Sequence, residues 1–322
     1  MRQLTCIEAG QLEWRDVPEP RIQGDGEALV RPLAVARCDI DRFLASGLLP
    51  LRGSFALGHE CVGEVVALGD GVRELALGQR VVVSFQVSCG RCRRCRAGKS
   101  ALCEEMPVLS DYGMQPLSGV EYGGMLSDVV RVPYATAMLQ PIPAALDPAA
   151  LASVSDNVCD GYRAVAPHLA AEPGSEVLIV AHGLPSIPLY AVQAAVALGA
   201  GTVDFASDDA EALALAERLG ARAIATDFAR KPARATEPEG VCQSVSFHAG
   251  ASLPLPMGRM YTLGIRLCVG RCHAAALLPE VVALIAAGRL RPEAVTTRVV
   301  AWEDAAAAFL EPAVKLVVQR DA

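Results

Sequence analysis

Along the first 150 residues apolar side chains come in short runs, EALVRPLAV, CVGEVVALG, QRVVVSFQV and LSDVVRVP, divided by turn-forming stretches such as GDG and LGQR. That rhythm predicts an all-β, barrel-like domain. From about residue 156 the period changes. SEVLIVAHG is almost wholly apolar, which predicts a parallel strand buried on both faces. PSIPLYAVQAAVALGA reads as a helix and TVDFAS as a strand. DDAEALALAERLGA follows as a second helix, with Asp208 and Asp209 at its start and Gly220 at its end, and ARAIAT is a third strand. Such alternation predicts a doubly wound parallel sheet.

The alternation then fails. Only DFARKPARATEPEG, with two prolines, separates ARAIAT from the next apolar run, VCQSVSFH. A complete unit needs a helix of about ten residues and another strand, so one strand–helix unit is missing. VCQSVSFH is therefore expected beside SEVLIVAHG, in the place of the absent strand. The closing stretch, from MYTLGIRLCVGR through LLPEVVALIAAGRL to KLVVQRDA, predicts one helix with flanking strands that return to the first domain. The expected domains are 1–155 with 262–322, and 156–261.

Composition narrows the partners. The 322-residue chain is 52% apolar and 5% aromatic, with a net charge of −7 and no basic run, which speaks against nucleic acid. No apolar run reaches the roughly 18 residues that would span a bilayer, and MRQLTCIEAGQLEW does not read as a signal peptide. Eleven cysteines without an export signal point to thiols and metal ligands in a reducing compartment, hence a cytoplasmic protein.

Four of those cysteines, Cys89, Cys92, Cys95 and Cys103, follow a C-x2-C-x2-C-x7-C spacing. Short gaps let successive thiolates turn back onto one ion, and four thiolates with no open position describe a structural zinc site. An iron–sulfur cluster uses similar ligands and stays open as the alternative. A second set, RCDIDRF at 37–43 and GHE at 58–60, is weak taken alone.

Together these motifs resemble the zinc-containing alcohol dehydrogenases of the medium-chain dehydrogenase/reductase superfamily. The resemblance runs through GHE, the four-cysteine lobe, GGMLSDVVRVP, SDNVCDGY, the βα units and AAGRLRP. It implies a GroES-like β-barrel catalytic domain and a Rossmann-type domain, here shortened by one strand–helix unit. It implies two zinc ions per chain, one structural and one catalytic. Cys38 and His59 match the first two catalytic ligands, and Glu60 matches a carboxylate in or just behind the ligand shell. Asp156 matches the third ligand, with Cys159 as the alternative. One thiolate, one imidazole and one carboxylate leave a fourth position open to substrate.

Several positions depart from the resemblance. The proton-relay hydroxyl is replaced by Ile40, which leaves Asp39, Asp41 and Asp160 as candidate acids and bases. Ala181, Gly183 and Pro188 stand where the dinucleotide turn carries three glycines. Gly183, Ser207, Asp208 and Arg271 are the candidate NAD(P) contacts. Two reactions follow: oxidation of an alcohol or reduction of a carbonyl with NAD(P), or redox-neutral Lewis-acid chemistry (lyase, cyclase, hydratase or hydrolase) without it. Pocket walls implied by the resemblance lie around 42–55 and 108–120, where LASGLLPLRGSF suits a hydrophobic small molecule. A homodimer through the sheet edge is also implied. His182, His248 and His273 are expected to be structural. Zinc analysis of the purified protein is expected to give close to two ions per chain, one of them lost first to a chelator; a value of one would remove the catalytic site.

Overall fold

In the computed structural model residues 1–48, 53–115, 120–226, 236–245 and 254–321 are described. The chain divides into two units, Met1–Cys159 with His273–Ala322, and Asp160–Cys272. No helix among the described residues is long and apolar enough to cross a membrane.

The first unit begins with eight strands: β1 (Arg2–Glu8), β2 (Gln11–Asp16), β3 (Ala28–Arg37), β4 (Phe55–Ala56), β5 (Glu60–Leu68), β6 (Arg80–Val83), β7 (Val130–Val132) and β8 (Leu139–Pro141). β1 pairs antiparallel with both β2 and β4. β3 is alternately buried and more exposed along its first half, then buried without interruption from Ala34 to Arg37. That second half lies between two antiparallel neighbours, so both its edges and both its faces are covered. It is the half that leads to Cys38.

The second unit carries the βα pattern. β9 (Val177–Ala181), β10 (Val203–Ser207) and β11 (Arg222–Ala225) form a parallel sheet in the order β11-β10-β9. Helices Ser186–Ala197 and Ala210–Arg218 pack against β9 and β10. Asp209 caps the second of these, its Oδ1 accepting from the amides of Glu211 at 2.8 Å and Ala212 at 3.1 Å. Gly220 closes it at a φ of +99°, a conformation open to glycine at little cost.

Two expectations are corrected here. β12 (Val241–Ser244) does not lie beside β9 but pairs in parallel with β13 (Arg266–Val269), with helix Met257–Leu263 between them. The reason is local. A parallel pair with its own short crossover helix closes within one stretch of chain, over a sequence separation of about 25 residues, whereas pairing with β9 joins strands about 60 residues apart. Residues 227–235 of the expected linker, and the end of VCQSVSFH from 246, lie outside the described residues. Second, β9 is not buried on both faces. Leu178 is 45% exposed and Val180 37%, with Ile224 of β11 at 41%. The five strands described in this unit fall short of the six of a complete doubly wound sheet, and the face opposite the two packed helices is thinly covered.

The chain then adds helix Ala274–Ala286, β14 (Arg298–Ala301) and β15 (Leu316–Gln319) to the first unit. β15 pairs antiparallel with β3 and completes a sheet ordered β14-β15-β3-β5-β6-β8, with β7 also on β3. Arg37 anchors this return by donating to the carbonyls of Phe309 and Glu311, each at 2.6 Å, and of Ala313 at 3.1 Å.

The loop ahead of β5 is held by close backbone packing. Leu57 donates to Leu4 O at 3.0 Å, Leu126 to Leu57 O at 3.1 Å and Met125 to Gly58 O at 2.8 Å. A Cβ at Gly124 would stand 2.2 Å from Leu57 O. Backbone cannot yield there as a flexible side chain can. Gly124→Ala is therefore expected to destabilise the protein by about 1–3 kcal/mol. The check is a lower urea midpoint at unchanged slope; an unaltered midpoint would mean that this contact does not constrain the loop.

Candidate metal centre

Strand register assembles the site. Leu316 of β15 lies opposite Arg37 of β3, and Ala36 of β3 opposite Glu60 of β5. Residues just beyond those pairs, Lys315, Cys38 and His59, therefore meet at one end of three adjacent strands. Cys38 leaves β3 in an extended conformation and starts helix Asp39–Ala45. Its amide donates to Asp41 Oδ2 at 3.0 Å. Gly58, at a φ of +86°, turns the chain into His59. Asp156 sits between the 3-10 turn Ala152–Ser155 and helix Asn157–Ala171. That turn is tied to β5 by the Cys61 amide donating to Ser155 Oγ at 3.2 Å.

One donor atom each from Cys38, His59 and Asp156 lies within 4.8 Å of the other two. All three residues are buried, at 4%, 0% and 7% exposure. His59 Nε2 is 3.2 Å from Asp156 Oδ2, close to the edge of about 3.3 Å that bonds near 2 Å give a tetrahedral zinc site. The other ring nitrogen, Nδ1, is 3.0 Å from Asp41 Oδ1. Their angles fall outside hydrogen bonding, and neither atom has another hydrogen-bond partner among the described residues. Asp41 thus backs the imidazole and orients it, as a carboxylate behind a ligating histidine does. The Phe85 ring lies 5.5 Å from the imidazole. Soft sulfur, imidazole nitrogen and carboxylate oxygen together fit zinc.

Electrostatics also favour a cation here. Burial, then the charge of Asp156, pushes the Cys38 thiol up to about 12. Burial works to lower His59, but Asp41, Asp156 and Cys38 outweigh it, so its pKa stands well above the ordinary value. Burial likewise works to raise Asp156, and the His59 hydrogen bond and charge bring it below the usual range. A divalent ion would satisfy thiolate and carboxylate together.

Glu60 faces away from this group, and both its oxygens are engaged. Oε1 accepts from the Asn157 amide at 2.8 Å, and Oε2 accepts from the fully buried Lys315 ammonium. Burial pushes its pKa up to about 7, with Lys315 opposing. Lys315 also donates to Asn157 Oδ1 at 2.7 Å. Glu60 is placed behind the ligands rather than among them. Neither Lys315 nor Asn157 was expected from the sequence. A lysine inside VKLVV, flanked on both sides by apolar residues, was the available signal.

Cys89, Cys92, Cys95 and Cys103 also bring their sulfurs within 4.8 Å of one another. Helix Arg93–Arg96 and the turn Ser100–Leu102 present them. Amides point at the sulfurs: Cys92 at Cys89 Sγ at 3.3 Å, and Cys95 and Glu104 each at Cys92 Sγ at 3.4 Å. The Glu104 and Cys95 amides bring Cys92 down to about 6. His273 Nδ1 accepts from the Ala101 amide at 3.2 Å, which ties this lobe to the returning chain.

The remaining candidates are distributed as follows. Cys159 is fully buried and is not one of the three converging donors. Asp41 is not a solvated acid but a fully buried support for His59 and Cys38. Asp160 is buried and ion-paired with Arg163, so it does not serve as a free acid. Asp39 is half-exposed in the first helical turn. Gly183 holds a φ of +72° after β9 with open space around it. Ser207 lies opposite Ala181 at the end of β10, 1% exposed, and its Oγ accepts from the Asp209 amide at 3.1 Å. Asp208 is exposed and takes His182 Nδ1 at 2.8 Å, so His182 contacts a side chain rather than the backbone alone. Arg271 is half-buried beyond β13. His248, and residues 49–52 and 116–119 of the expected pocket walls, lie outside the described residues.

Residues 24–144 match the alcohol dehydrogenase GroES-like domain. The chain is 32% identical over 213 residues to a medium chain reductase/dehydrogenase of an Acremonium species, covering 64% of this chain and 70% of that protein. It is 27% identical to a probable zinc-binding alcohol dehydrogenase of Mycobacterium tuberculosis, covering 96% of this chain and 84% of that one. Among solved structures, an alcohol dehydrogenase from Thermus sp. ATN1 is similar over 100% of both chains at 26% identity, with a TM-score of 0.89.

Removing one member of a buried ion pair strands the other. Lys315→Met is expected to cost about 3–5 kcal/mol. Combining it with Glu60→Gln should cost less than the sum of the two single changes, read as a double-mutant cycle by urea denaturation; simple additivity would mean the pair is not coupled.

Proposed function

The chain belongs to the zinc-containing alcohol dehydrogenases of the medium-chain dehydrogenase/reductase family, and from that membership we propose that it interconverts a small, hydrophobic alcohol and its aldehyde or ketone at a zinc ion held by Cys38, His59 and Asp156, with NAD(P) as hydride carrier. The convergence of those three donors carries the reading: three protein ligands are the number that leaves a tetrahedral ion a place for the substrate oxygen. When bound, zinc supplies a Lewis acid to that oxygen, and the nicotinamide accepts or delivers the hydride.

The chain's own residues prepare the site. Asp41 orients the imidazole, and its hold on the Cys38 amide fixes the chain that carries the sulfur. Lys315 and the Asn157 amide keep Glu60 from adding a second carboxylate to the ligands, which would leave a net negative and less electrophilic centre. Ile40 holds no proton. Asp39, half-exposed in the first turn of the helix that follows Cys38, is the candidate to pass a proton to solvent. The four-cysteine lobe is assigned a second zinc, for a total of two, with a stabilising role on the order of 10 kcal/mol.

For the coenzyme, Gly183 and Asp208 mark the ends of adjacent strands, where the adenosine half of a dinucleotide would rest. Pro185 and Pro188 lack amide hydrogens at the start of helix Ser186–Ala197, so a pyrophosphate there would have to be held by the other amides of this turn, such as those of Gly183 and Leu184. The residues fit a dinucleotide bound with fewer backbone donors. Relatives named as dehydrogenases weigh against redox-neutral chemistry.

Thermal denaturation with NADH and with NADPH tests the reading. One of the two, at concentrations well above its Kd, is expected to raise Tm. Cys38→Ser is expected to keep that shift while alcohol-dependent reduction of the coenzyme falls at least a hundredfold. No shift with either coenzyme would overturn the assignment.

A further inference from the structure

Asn157 supplies no metal ligand, yet every polar atom of its side chain is directed at the site. Oδ1 accepts from the Lys315 ammonium at 2.7 Å, while Nδ2 donates to Cys38 Sγ at 3.1 Å and to Asp156 Oδ2 at 3.0 Å. Asn157 is fully buried. The orientation of the amide follows from chemistry: an ammonium group has only hydrogens to offer, so the carbonyl must face Lys315 and the NH2 must face sulfur and carboxylate. One amide thus reaches two of the three converging donors, anchored from behind by a buried charge.

We propose that Asn157 is a positioning residue that sets both the direction and the donor strength of the Cys38 thiolate and the Asp156 carboxylate toward the metal. An N–H···S hydrogen bond draws electron density from a thiolate, so the sulfur gives less to the ion and the ion stays more electrophilic toward the fourth ligand. The same hydrogens fix where Sγ and Oδ2 stand. The backbone amide of Asn157 holds Glu60 Oε1, so one residue both directs two ligands and retains the carboxylate kept from the metal. That backbone contact survives replacement of the side chain, which separates the two roles experimentally. The inference rests on the zinc reading above.

The test uses the full-length protein with cobalt(II) exchanged into the three-donor site and zinc kept in the four-cysteine lobe. Asn157→Leu removes both donated hydrogens, and Asn157→Asp removes them while keeping an acceptor for Lys315. In both variants the thiolate-to-cobalt charge-transfer band is expected to move to longer wavelength. Extraction of that cobalt by a chelator should be about 10–100-fold faster. Zinc in the four-cysteine lobe should be retained as in the unaltered protein, which serves as the control for folding. If Asn157→Leu does not fold, Asn157→Asp decides. A band and an extraction rate unchanged in the folded variants would overturn the inference and leave the zinc reading standing. Absence from the unaltered protein of any thiolate band that Cys38→Ser removes would overturn both.

Discussion

Four acidic side chains, Cys38, Asp41, Glu60 and Asp156, are buried around the ends of β3 and β5, and the ammonium of Lys315 is buried with them. Taking each such charge out of water costs several kcal/mol unless a partner meets it. The arrangement meets them one by one. Glu60 has Lys315 and the Asn157 amide, and Asp41 has the Cys38 amide and the imidazole of His59. Cys38 and Asp156 share the Asn157 amide and face His59 and one another, where a divalent cation would balance them. The position of these groups follows from strand register, because β15, β3 and β5 place Lys315, Cys38 and His59 at a common end.

This division gives the two carboxylates nearest the ligands opposite tasks. Asp156 points its oxygen at His59 Nε2 and joins the converging donors, while Glu60, next in sequence to a ligand, is turned back to Lys315. The contrast comes from the pleat. His59 and Glu60 are consecutive at the start of β5, so their side chains leave the chain toward opposite sides. Lys315, just ahead of β15 on the far side of β3, then determines what Glu60 does.

The second unit is economical by comparison. Three parallel strands carry the two helices expected of a βα array, and a separate parallel pair follows. Leu178, Val180 and Ile224 remain partly exposed on the face where a complete array would supply further cover. Pro185 and Pro188 thin out the amides at the helix start, while Gly183 preserves the left-handed turn that the chain needs between β9 and that helix.

The sequence alone determined the fold class and the helices Ser186–Ala197, Ala210–Arg218 and Ala274–Ala286. Each depends on local period, caps or length, and such signals act within a few residues. Spacing was enough to mark the four-cysteine lobe. Cys38, His59 and Asp156 were legible through resemblance, since residues 38 and 156 are brought together by strand pairing and by the packing of the turn Ala152–Ser155 on β5, which no local pattern encodes. Tertiary structure decided the rest. It paired β12 with β13 instead of β9, buried Asp41 behind His59, matched Asp160 to Arg163 and Asp208 to His182, and set Lys315 against Glu60. Apart from the Asp160–Arg163 pair, which is three residues apart on one helix, these outcomes depend on which groups meet across longer sequence separations, and a charge buried far from its partner along the chain shows its purpose only when both lose their water together.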